Sequence, residues 1–214
     1  AVVPDLPGRV LLHLPDTMRA VPDGSSFDSF PNYFPPNPAV GTVDECRRLV
    51  DRLHERGHLF MPRTSFFYFA EGSDVDREYG LASLAIRQLN GRPRTARWSV
   101  PGYLVSPSSR TVQGFLAEVL RTWQDLGADV YFTNVVGALG PTGNRYDFHP
   151  DAGRPDALYD AVWELLERHG RQLPLLTEGG GIRTLPFQAG YCHAPAWNPQ
   201  APGKARYLYN GSRG

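Results

Sequence analysis

The feature that most constrains this chain is a repeated unit, a one-faced helix closed by glycine and followed within a few residues by a short apolar run. The first such helix opens on Thr42-Val43-Asp44-Glu45, a capping box in which hydroxyl and carboxylate satisfy each other's backbone donors. It places Val43, Cys46, Leu49, Val50 and Leu53 at helical spacing and stops at Gly57. A second runs from about Thr111 through Phe115, Leu116, Val119, Leu120, Trp123 and Leu126 to Gly127. The third has Pro155 in its first turn, carries Leu158, Ala161, Val162 and Leu165, and closes at Gly170. Each helix has one apolar stripe and therefore needs a flat partner.

The apolar runs supply it. Strands are expected near 10–14, 58–66, 129–134 and 173–178, in the order β-α-β-α-β-α-β, and right-handed crossovers make them parallel. Helix-to-strand connections are tight, whereas the strand-to-helix connections are long: 15–41, about 70–108, and 135–154. Long loops on the carboxyl side and short ones on the amino side are the pattern of an enzyme-type barrel or doubly wound sheet, with one rim elaborated into a site. Two strands run into polar, glycine-bounded ends, Tyr131-Phe132-Thr133-Asn134 and Leu175-Leu176-Thr177-Glu178. Asn134 and Glu178 are thus expected to face one pocket at the carboxyl rim. Asp129 starts its strand, so it belongs to the opposite rim and to the structure.

At 214 residues the chain has room for one domain, residues 1–214. Its 22 basic and 22 acidic residues give a net charge of +0 without long runs of one sign, which sets nucleic acid and acidic membrane surfaces aside. No apolar run approaches the roughly 18 residues of a membrane span. Cys46 and Cys192 lack metal-site or redox spacing, read as free thiols and leave the compartment open. No Rossmann turn or P-loop is present and no cofactor is expected; Gly179-Gly180-Gly181 is a sharp turn past a site residue more than a phosphate cradle.

The long loops hold the aromatic residues: Phe27, Phe30, Tyr33 and Phe34, then Phe66, Phe67, Tyr68, Phe69, Trp98 and Tyr103, then Tyr146 and Phe148. Such rings order proline-rich loops by burying one another, or form platforms for the apolar face of a sugar. Phe67, Tyr68 and Trp98 are the candidate platforms. Asp147 and His149 alternate in Tyr146-Asp147-Phe148-His149 and, if extended, share a side suited to a hydroxyl pair or a divalent metal. Asp16 and Asp28, in the first loop, are further candidates for sugar hydroxyls. His13, on an inner strand, fits a core histidine better than a ligand.

Six segments in order, Leu12-His13-Leu14, Asn32 to Pro36 with Gly41-Thr42, His54 to Pro62, Gly102 to Pro107, Gly127 to Ala138 and Leu173 to Gly180, resemble an uncharacterised TIM-barrel family. That family is related to the α-galactosidase and endo-α-N-acetylgalactosaminidase clan of glycoside hydrolases. The resemblance implies a partial (β/α)8 TIM barrel of about four parallel βα units with long βα loops, the N-terminal half or so of a barrel. It implies a carbohydrate substrate and two catalytic carboxylates, with Glu178 as candidate acid/base and Asn134 where the nucleophilic aspartate is expected. An amide lacks the charge that stabilises an oxocarbenium-like transition state. A non-catalytic carbohydrate-binding or assembly domain is the alternative, and a metal-dependent barrel enzyme using His13, Asp147, His149 and Glu178 a further one. Four parallel strands leave an open edge, so a homo-oligomer or a missing C-terminal half is expected to cover it.

Overall fold

The computed structural model describes residues 8–14, 18–22, 29–97, 100–134, 146–178, 188–192 and 207–208; for Leu14, Glu178 and the last two segments it describes the backbone alone. The four expected strands are β1 (Leu11–Leu14), β2 (Leu59–Ser65), β6 (Tyr131–Asn134) and β7 (Leu175–Glu178). They pair in parallel and in sequential order. The sheet continues through β8 (Gln188–Cys192), parallel to β7, and β9 (Tyr207–Leu208), antiparallel to β8. Residues after 178 thus contribute strands that the apolar pattern did not announce.

Three long helices connect them: α1 (Val43–Glu55), α4 (Arg110–Asp125) and α5 (Leu158–Gly170). Because β1, β2, β6 and β7 follow one another without a reversal, right-handed crossovers put all three helices on one face. A doubly wound sheet needs a reversal of strand order, so these four strands are wound from one side only. On the helix face Phe60 of β2 meets Trp123 of α4 at 6.0 Å between ring centroids, and the Tyr131 hydroxyl of β6 donates to Leu120 O at 2.7 Å.

Local sequence explains the helix ends. The Thr42–Glu45 capping box is present on α1, and Ser109 caps α4 through Val112 N. After α4, Gly127 turns the chain at φ 93°, with Val50 of α1 only 2.8 Å from where a side chain would start. The third helix differs from expectation. Pro155 lies in a 3-10 turn ahead of α5, and Gly170 is its last helical residue, with Arg171 as the C-cap.

Asp129, placed at the amino rim, accepts from Phe60 N at 2.8 Å and pairs with His54 Nε2 at 2.9 Å, tying α1 and β2 to the start of β6.

The largest departure lies in the second long loop, which carries a domain-like insertion. The segments β3 (Tyr68–Ala70), β4 (Thr95–Arg97) and β5 (Pro101–Leu104) form a separate antiparallel sheet in the order β3-β5-β4. The short helices α2 (Asp74–Tyr79) and α3 (Leu81–Leu84) accompany it. The aromatic run Phe66 to Phe69 is fully buried there.

One core residue sets a pH dependence. His169, in the last turn of α5, is 2% exposed, lies edge-on to Phe66 at 5.4 Å, and neither ring nitrogen has a partner among the described residues. Burial, reinforced by the Arg168 charge, pulls its pKa from 6.5 down to about 4. Above 6.5 the imidazole is neutral in both states; between 6.5 and about 4 the unfolded chain takes up a proton that the folded one refuses. Stability therefore falls as pH falls through this window, by ~3 kcal/mol in all at about 1.4 kcal/mol per unit. Denaturant titrations near pH 7 and near pH 4 check it: His169→Leu should flatten that slope relative to wild type, and equal slopes would refute the assignment.

Candidate functional site

Alternation along the strands defines the face opposite the helices. Phe60 and Tyr131 touch α4, so Met61, Arg63 and Ser65 of β2 and Phe132 and Asn134 of β6 belong to the other face. The register makes rows across it. Arg63 pairs with Phe132, Phe132 with Leu176, and Leu176 with Gly190. One step toward the carboxyl end, Ser65 pairs with Asn134 and Glu178 with Cys192, and since Thr133 pairs with Thr177, Asn134 and Glu178 stand next to each other. The carboxyl rim thus carries Ser65, Asn134, Glu178 and Cys192 at one level on four adjoining strands.

Below this level His13 lies against Phe132, ring centroids 5.1 Å apart, with Nδ1 3.2 Å from Met61 O. Burial lowers its pKa, and the Arg63 charge adds to the effect. Arg63 is 4% exposed and its guanidinium lies 4.9 Å over the Phe30 ring, which caps the inner face from the first long loop. The same loop delivers Tyr33, whose hydroxyl accepts from Ser65 N at 2.6 Å. Burial pushes that hydroxyl well above the ordinary tyrosine range, so it stays neutral.

In the Tyr146–His149 segment Asp147 and His149 are the buried pair, and both are engaged within the chain. Asp147 is 0% exposed; Oδ2 accepts from Ser106 Oγ at 2.5 Å, and Oδ1 accepts from Arg87 N at 3.1 Å and His149 N at 2.9 Å. His149 is 8% exposed, its Nε2 lies 3.0 Å from Ser83 O, and its Nδ1 accepts from Asp151 N at 3.1 Å. The two side chains fasten the third long loop to the inserted segment. Phe67 and Tyr68, the expected platforms, are both 0% exposed, and the Tyr68 hydroxyl donates to Val100 O. Asp16, Asp28, Trp98 and Gly179 to Gly181 lie outside the described residues.

No protein-family model matches the chain, and no curated protein matches it by sequence. Solved structures do match. The ligand-free α-N-acetylgalactosaminidase of Bifidobacterium bifidum superposes with a TM-score of 0.71 at 20% identity, over 92% of this chain and 32% of that one. The α-galactosidase of Thermus thermophilus in complex with stachyose gives 0.54 at 17% identity, over 82% and 34%. The noncanonic maltogenic α-amylase of Thermotoga neapolitana gives 0.59 at 13% identity, over 85% and 40%. The fold is glycoside-hydrolase-like. The chain spans about a third of the length of the first two enzymes.

Within this glycoside-hydrolase-like sheet, Arg63 and Ser65 share the face of Asn134 and were not among the sequence-based candidates. Their signal was present: Met61, Arg63 and Ser65 alternate with Phe60, Pro62 and Thr64, and a charge inside an apolar strand marks a face that is not plain core. Among the described residues no cluster of three or more His, Cys, Asp or Glu is arranged to hold a metal ion.

Proposed function

We propose that this chain carries the site-bearing strands of a glycosidase-type barrel that acts on or binds carbohydrate, with Glu178 as acid/base and Asn134 at the nucleophile position. The observation that carries the reading is the adjacency of these two residues at the carboxyl ends of β6 and β7. Neighbouring strands lie about 4.8 Å apart. Glycosidases place their two site groups within about 5–9.5 Å of each other, so residues on neighbouring strand ends are compatible with such a pair. In this arrangement Glu178 protonates the departing glycosidic oxygen, and the residue at 134 meets the opposite side of the anomeric carbon. Among the described strands β1 is one edge of the sheet, and a second chain or a further part of a barrel would add there.

An amide at 134 also favours a second reading, a carbohydrate-binding domain without hydrolysis. Asn134→Asp in the full-length chain separates the two. Restoring the carboxylate should raise hydrolysis of activated aryl glycosides at least about tenfold, equivalent to ~1.4 kcal/mol of barrel-site transition-state stabilisation. Glu178→Gln in the same background should remove the gain. No gain across α- and β-linked aryl glycosides, with sugar binding intact by calorimetry, would favour the binding domain.

A further inference from the structure

We propose that Tyr146 and Phe148 form a sugar-stacking subsite on the carboxyl rim, one that holds a ring of an oligosaccharide beyond the sugar at Asn134 and Glu178. It rests on the carbohydrate reading of the site and names a binding surface for it. The segment alternates sharply. Asp147 and His149 are buried and hydrogen-bonded inward, while Tyr146 is 53% exposed and Phe148 half-buried on the other side. The two rings lie 6.2 Å apart with 28° between their planes, a nearly parallel pair presented outward.

The backbone beneath them is held tightly. Asp147 N donates to Pro155 O at 2.7 Å and Phe148 N to Arg87 O at 3.0 Å, in addition to the contacts made by the Asp147 and His149 side chains. An aromatic side chain on such a support has few conformations left to lose, so a ligand that stacks on it orders little. The surface lies at the rim that bears the site. Ser106, which holds Asp147, precedes the Ser109 cap of α4, and Arg110 N donates to Asp151 Oδ2 at 3.1 Å; α4 starts at the carboxyl end because it returns the chain to the start of β6.

Size and surroundings identify the ligand class. A specific protein interface needs about 800 Å² per partner, and the exposed large apolar residues described, Val40, Tyr79, Leu89 and Tyr146, are single positions in different segments. Two rings offer the footprint of one pyranose. Charged residues stand a few positions further along the chain, Asp151 accepting from Arg110 N and Arg154 paired to Asp160 at 3.3 Å, a polar setting that suits hydroxyls better than a wholly apolar ligand. A pyranose has the matching character, C–H groups on one face and hydroxyls around the edge.

Calorimetric titration of the full-length chain with galactose, N-acetylgalactosamine and the tetrasaccharide stachyose tests the assignment. Tyr146→Ala should weaken stachyose about five- to tenfold and leave the monosaccharides unchanged, while Tyr146→Phe should bind stachyose like wild type; Tyr146 is exposed, so folding should be unaffected. Stachyose affinity unchanged in Tyr146→Ala, or an equal loss for monosaccharide and tetrasaccharide, would overturn the subsite. A wild-type chain that binds none of the three would instead overturn the carbohydrate reading beneath it.

Discussion

Gly102→Ala should unfold the inserted sheet, at a cost of about 3–5 kcal/mol out of a total stability on the order of 5–15 kcal/mol. Gly102 sits in the middle strand, opposite Ala70 of β3 and Ala96 of β4. A Cβ there would lie 2.3 Å from Phe69 O and 2.6 and 2.8 Å from two carbons of the Tyr68 ring. Neither neighbour has room to give way. The carbonyl belongs to the paired β3 backbone, and the ring is fully buried with its hydroxyl bonded to Val100 O. Urea denaturation followed by far-UV circular dichroism checks the prediction, and a midpoint equal to wild type would show that the sheet has slack that its geometry denies. Because the chain leaving β5 leads directly to Ser106, the variant should also loosen the third long loop.

Asp147→Ala should cost about 3–4 kcal/mol, while Asp147→Asn should cost no more than about 1. The carboxylate serves three donors. Removing it strands the buried Ser106 hydroxyl and His149 amide and the partly buried Arg87 amide. Asparagine keeps the one oxygen that serves both amides, and its NH2 faces a hydroxyl able to rotate and accept. Thermal denaturation of the three proteins tells a loop anchor from a ligand. A ligand carboxylate would leave stability nearly unchanged in both variants and lose sugar affinity in both, the opposite of the expected result.

These two residues show where sequence reading reached its limit. The winding was legible because each step of it is local: the Thr42–Glu45 cap, the stripes of α1 and α4, and the turns at Gly57 and Gly127 all act within a few residues of chain. So was the level at which Asn134 and Glu178 end their strands, since equal strand lengths after tight turns leave little freedom of register. The alternation of Asp147 with His149 was equally legible, but its direction was not. Which side of an extended segment faces inward depends on what lies across from it, here Ser106 and Arg87, 41 and 60 residues away in sequence.

Local pattern thus determined the helices, the four parallel strands and the rim to which the polar strand ends belong. Tertiary structure alone decided that Phe67 and Tyr68 are core and that the second loop is a sheet of its own. The physical reason is range. Caps, stripes and glycine turns are satisfied by neighbours in the chain, whereas burial of a ring or carboxylate is settled only when distant segments meet and every buried donor must find its acceptor.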